Sequence, residues 1–138
     1  MKRHVLTDGR GVPISVLTTG ANVHDKWMVG AVLDATVVRA PRGPRRPVHL
    51  CLDKGYDYAD AEAAVRHRRI TPHIRRRGEP PLLGCVHGKP RRWVVERTNS
   101  WHNRYRGLLV RWERKAENYL AMLYLTCGII AFQQAHGF

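Results

Sequence analysis

Acidic residues are few in this sequence. Its 138 residues include 11 Asp plus Glu against 24 Lys plus Arg, a formal net charge of +13. That imbalance argues against a cationic partner and points to a polyanion, nucleic acid first of all. A ribosome-like binding protein or a domain with an acidic partner would carry the same excess. Most of the basic residues are Arg, whose planar fork suits phosphate better than Lys does. Cysteine is scarce too. Cys51, Cys85 and Cys127 are odd in number and scattered, which excludes a disulfide framework and suits a reducing cytoplasm. Cys85 and His87 form a pair, but no second pair follows at zinc-finger spacing, so no zinc site is expected. Long apolar runs are missing. The most apolar segment, Tyr119 to Phe132, contains Thr126, Cys127 and Gly128, and is too short and mixed to span a bilayer. Val5-Leu6, after Lys2-Arg3-His4, is too short for the core of a signal peptide. There is no internal repeat, and the length suits one domain with a real core.

What is present alternates between strand and helix patterns. His4 to Thr7 and Val12 to Thr18 are rich in Val, Ile, Leu and Thr, with Asp8-Gly9-Arg10-Gly11 between them. Asp-Gly in that place predicts a hairpin and makes Asp8 a turn residue rather than a catalytic one. Asp25 reads as the N-cap of a helix from Lys26 to about Val37, with Trp27, Met28, Ala31, Val32 and Ala35 on one face. Residues 41–47 read as a Pro/Gly loop. Val48 to Leu52 predicts a strand apolar enough to be central in a sheet. Asp57 then caps a helix over about Tyr58 to Arg68, with Ala61, Ala64 and Val65 inward, and Ile70 to Ile74 is a further strand. Arg75 to Arg91 is a long basic loop, of the kind that usually carries function. Val94, Thr98, Trp101, Tyr105, Leu108 and Trp112 mark a packed helical face, with Gly107 as an end or bend. Ala116 to about Ala135 predicts a final apolar helix. Together these elements predict a mixed sheet with helices packed on it.

Two carboxylates stand out. The strand Val48–Leu52 ends in Asp53, followed by Lys54-Gly55-Tyr56, and ligands of open sheets sit beyond strand ends. A solvated turn Asp is the plain alternative. Glu96 belongs to a polar stripe, Arg92, Glu96, Asn99 and Asn103, beside the Trp101/Tyr105 packing stripe. Its plain alternative is a surface pair with Arg92. Two carboxylates in a basic domain suit a hard divalent cation, and paired ions of that kind assist phosphodiester displacement.

The segments "RHVLTDGRGVPISVLTTGANVHD", "LDKGYD" and "RRWVVERTNSWHNRYRGLLVRWE" resemble, over nearly the whole chain, the catalytic domain of bacterial insertion-sequence transposases of the DDE class. The resemblance implies a ribonuclease H-like α/β fold and DNA transposition, with magnesium or manganese held by two Asp and one Glu. Asp53 matches the second Asp and Glu96 the Glu, as catalytic and metal-binding residues. Arg92 matches a basic residue four positions before the Glu. Asn103 stands seven after it, where many relatives have Lys, and Lys89 stands where relatives often have Tyr. Arg75, Arg76, Arg77, Arg92, Arg97, Asn103 and Arg104 are the expected DNA contacts, holding phosphate without reading sequence. The family's first Asp lies on a central strand before the one near Lys2, and neither Asp8 nor Asp25 occupies its place. The expectation is therefore a carboxyl-terminal part of a transposase catalytic domain lacking its first, central strand. Its partners are DNA, a second copy or an upstream transposase polypeptide, and no membrane, in a bacterial cytoplasm at the nucleoid. A non-catalytic DNA-binding remnant and a metal-dependent nuclease of the same fold are the rival readings.

Overall fold

The computed structural model describes residues 1–38, 48–74, 76, 78 and 92–137. The expected loops at 41–47 and 75–91 fall largely outside them. The chain begins with a hairpin, β1 (Lys2–Thr7) antiparallel to β2 (Pro13–Thr19), with His4 opposite Leu17 and Val5 opposite Val16. The turn is built by Asp8, whose Oδ1 accepts from the amides of Arg10 (2.8 Å) and Val12 (2.9 Å). Asp8 is thus the turn residue that its neighbours predict. Gly11 has φ +88°, a left-handed conformation that a side chain would strain.

A 3-10 turn, Asp25–Met28, runs into α1 (Val29–Asp34). Two expectations are corrected here. The cap is the ring of His24, whose Nδ1 accepts from the Lys26 amide at 3.3 Å, and not Asp25. The inward face is Val29 and Val32 with Leu33, while Trp27 is 66% exposed and Ala31 and Ala35 face solvent. The cause is the tighter opening turn. At three residues per turn it rotates every later side chain relative to a continuous α-helix from Lys26.

The next unit is a strand–helix–strand: β3 (Val48–Leu52), a 3-10 turn at Lys54–Tyr56, α2 (Ala59–His67) and β4 (Ile70–Ile74). β3 and β4 pair in parallel, Val48 beside Ile70 through Leu52 beside Ile74, and α2 is the crossover. Ala61 and Val65 of α2 pack with Val29 and Ile70, flanked by Val48, Leu50 and Leu52. Tyr58, not Asp57, takes the position before α2, because Asp57 closes the preceding 3-10 turn through its amide to the Lys54 carbonyl (3.2 Å). Among the described residues β3 is not central. It pairs with β4 alone, and His49 and Cys51 alternate outward, exposed, between half-buried Val48, Leu50 and Leu52.

The carboxyl-terminal part is helical: α3 (Arg92–Asn103), α4 (Arg106–Leu109) and α5 (Ala116–His136). α3 ends where the Arg104 and Tyr105 amides bond back to Trp101 and His102 (3.2 and 3.1 Å), so Gly107 lies inside α4 and does not end the long helix. After Leu109 the backbone leaves the helix, the periodicity lapses, and Trp112 is 72% exposed instead of packed.

The fold is mixed α/β, but the described strands form two separate two-stranded sheets rather than one. Each sheet has its own core. Val16, Leu108, Tyr119 and Leu123 lie under the hairpin, and the Val29/Ala61/Val65/Ile70 cluster lies under β3–β4. α1 ties them together. Its Val32 carbonyl accepts from buried Ser15 Oγ (2.7 Å), and the Val37 amide just beyond it bonds the Ile14 carbonyl (3.2 Å). Arg68 locks α1 to α2, with Nε and Nη2 on the two oxygens of Asp34 at 2.7 and 2.5 Å. Gly30 leaves room for it, since a Cβ there would stand 3.1 Å from Arg68 Nη2.

Candidate catalytic and DNA-binding site

Asp53 stands at the tip of β3, where the strand gives way to the Lys54–Tyr56 turn. Its Oδ1 accepts the Lys54 amide at 2.6 Å, and its carbonyl accepts the Tyr56 amide at 2.9 Å. The turn therefore fixes the carboxylate while leaving it exposed. Tyr56 is half-buried against the β3–β4 core. Burial raises its phenol pKa, and the carboxylates of Asp25 and Asp53 raise it further. Both acids thus act on one phenol.

Asp25 was expected to cap a helix. It is held by Lys2 instead, whose Nζ reaches Asp25 Oδ1 at 3.2 Å and the Val23 carbonyl at 2.9 Å. This brings the first strand, the Asp25 turn and the Asp53 turn to one place. No local pattern flagged it, because the partners lie far apart in sequence. His4, two residues after Lys2 on β1, is buried with Nε2 on Thr19 Oγ1 at 2.7 Å. Burial lowers its pKa, Asp25 opposes that shift, and Lys2 adds to it.

Glu96 lies on α3, exposed, on a helix that packs against β1 and α5. The helix is seated by Thr98, fully buried, whose Oγ1 donates to the Gly11 carbonyl (2.6 Å) and lies 3.1 Å from the Val94 carbonyl. Asp53 and Glu96 thus belong to different halves, one to the β3–β4 unit and the other to the helical layer on the hairpin.

The expected DNA contacts divide. Arg97 is half-buried and held between two indoles, its guanidinium 4.0 Å from the Trp93 ring centre and 5.7 Å from that of Trp101, with Nη1 on the Arg10 carbonyl at 3.4 Å. Asn103 is exposed and accepts from Arg3 Nη2 at 3.4 Å. Arg104 is exposed, at a shallow hollow that it lines with Trp101, Tyr105, Ile130, Gln133 and Gln134. Arg76 is exposed. Arg92 opens α3, and Arg75 and Arg77 lie outside the described residues. Sequence reasoning missed His102, which is fully buried, with Nε2 3.4 Å from Cys127 Sγ. Burial and the nearby Arg3 pull its pKa down to about 4.

Asp53, Glu96 and Asp25 supply hard oxygen donors, the kind that magnesium takes. Among the described residues, however, no three His, Cys, Asp or Glu side chains are grouped so as to hold a metal ion. Among the described residues the donors fit a divalent cation in kind and fall short in number.

An exposed Asp at a strand end and an exposed Glu on a helix thus stand in a chain of net charge +13. Residues 1–130 match the transposase DDE domain, and the chain belongs to that family. A Burkholderia cepacia protein assigned as the transposase of insertion sequence element IS402 is 39% identical over 134 residues, covering 95% of this chain. The chain spans 62% of the length of that relative. No solved structure matches.

Proposed function

We propose that these residues are the carboxyl-terminal part of a ribonuclease H-like transposase catalytic domain, with Asp53 and Glu96 as two of its three metal-binding carboxylates. The observation that carries the reading is the family match together with the setting of the two acids. Each is exposed: Asp53 at a strand-end turn that its own Oδ1 caps, and Glu96 on a helix seated by Thr98. The separation of β1–β2 from β3–β4 supports the rest. A strand laid between β1 and β3 would join the two sheets into one, cover two open edges and bring its own Asp beside Asp53. When bound, a divalent cation supplies charge neutralisation and an activated nucleophile for phosphodiester cleavage and joining. The chain's own contribution is to orient two carboxylates and to hold phosphate through Arg76, Arg92, Arg104 and the basic residues around them.

By themselves these 138 residues then bind DNA and do not join it, because positioning the reacting groups carries much of such catalysis and the set of three acids is incomplete. The test is a strand-transfer assay on element-end DNA with magnesium, comparing this chain with a version extended upstream by the preceding strand. Joining is expected only with the extended version, and Asp53→Asn or Glu96→Gln there should abolish it while leaving DNA binding intact. Joining by the short chain that Asp53→Asn removes would overturn the three-acid assignment.

A further inference from the structure

We propose that α5 is a self-association surface, on which two copies of this chain pair antiparallel about a two-fold axis at Gly128. This goes beyond the catalytic reading and does not depend on it. α5 is apolar on both sides. Inward it buries Tyr119, Leu123, Thr126 and Ile130. Outward, Tyr124 is 50% exposed, Leu125 67%, Ile129 37% and Phe132 60%. A surface helix ordinarily has one apolar stripe, and one that is apolar all round is covered on both sides. A contiguous exposed apolar patch marks an interaction site.

Gly128 lies in the middle of that stripe. Glycine inside a helix costs about 1 kcal/mol relative to alanine. A Cβ at Gly128 would meet nothing within 4 Å, so packing inside the chain does not require the glycine. Close approach of another backbone does require it.

The order of the exposed residues selects a second copy as that partner. Ala121, Tyr124, Gly128, Phe132 and Ala135 read small, aromatic, glycine, aromatic, small, at matching intervals on either side of Gly128, and all five are exposed. A two-fold contact needs a patch complementary to itself, and an antiparallel crossing at Gly128 sets Tyr124 of one copy against Phe132 of the other. Charge agrees. The chain carries +13, so two copies repel over most of their surfaces, yet residues 118–135 contain no Lys, Arg, Asp or Glu. The stripe is about 21 Å long at 1.5 Å per residue. One helix face of that length makes a small interface, below about 1,200 Å², of the weak and transient class.

Sedimentation equilibrium of the nuclease-treated chain over a range of concentrations tests this. The average mass should climb from 15.8 kDa towards twice that value. Tyr124→Lys and Phe132→Glu should each hold the chain at monomer mass with unchanged helicity, since both positions are solvent-exposed. Mixing the two variants should restore the dimer, because an antiparallel two-fold sets the new Lys against the new Glu. A wild-type chain that stays monomeric at every concentration, single variants that still associate, or a mixture that stays monomeric would each overturn the proposal.

Discussion

His102 Nε2 lies 3.4 Å from Cys127 Sγ, and this part-buried contact joins α3 to α5. Both groups are held neutral. Burial pushes the Cys127 thiol up to about 11, while burial and Arg3 bring His102 down to about 4. The thiol is consequently inert at neutral pH, and the imidazole resists protonation where a solvated one would accept it.

That resistance makes stability depend on pH. In the unfolded chain His102 takes a proton near pH 6.5, and in the native chain only near pH 4. The unfolded state therefore binds more protons between those values, and stability falls as pH drops through that window, by up to about 3 kcal/mol. His4, also lowered, acts in the same direction. Urea midpoints at pH 7, 6, 5 and 4.5 should decline in the wild type and decline less in His102→Gln. Parallel curves for the two proteins would show that His102 is not the group responsible.

The seat of α3 on the hairpin should be sensitive at both of its partners. A Cβ at Gly11 would stand 3.2 Å from Thr98 Oγ1 and 3.3 Å from the Val94 carbonyl, at φ +88°. Gly11→Ala should cost at least the roughly 1–2 kcal/mol of a left-handed non-glycine residue. Thr98→Val removes the donor to a buried carbonyl and should cost about 1–3 kcal/mol. Chemical denaturation of each variant measures both, and the double variant should be non-additive because the two share one contact.

DNA binding should follow charge rather than sequence. Duplexes of unrelated sequence should bind within a few-fold of one another, and affinity should drop steeply and log-linearly with salt as counterion release is suppressed. Arg104→Ala should lower affinity about equally for every duplex and make the salt slope shallower. A flat salt dependence would remove phosphate contact as the source of binding.

Much of the local architecture was legible before any coordinates. Asp8-Gly9 announced the hairpin, the apolar runs announced β3 and β4, and α5 was recognisable along nearly its whole length. Asp53 and Glu96 could be singled out because each is marked locally, one by a strand running into a glycine turn, the other by a polar stripe beside a packed one. Turn chemistry and helical periodicity act over a handful of residues, and a sequence displays that range directly.

Other features depended on contacts between distant residues. Lys2 draws Asp25 away from capping a helix, and a 3-10 turn then rotates α1 so that Val29 and Val32, not Trp27 and Ala31, face inward. His102 is buried because α3 closes on α5, which its own polarity does not suggest. The chain's basic character, its hairpin, its strand–helix–strand unit and its two marked carboxylates were determined by the sequence alone. Which faces were buried, which acid met which lysine, and the division of the described strands into two sheets were decided only by the tertiary structure. Burial and strand pairing are properties of surfaces brought together across the whole chain, and no short window of residues contains both surfaces.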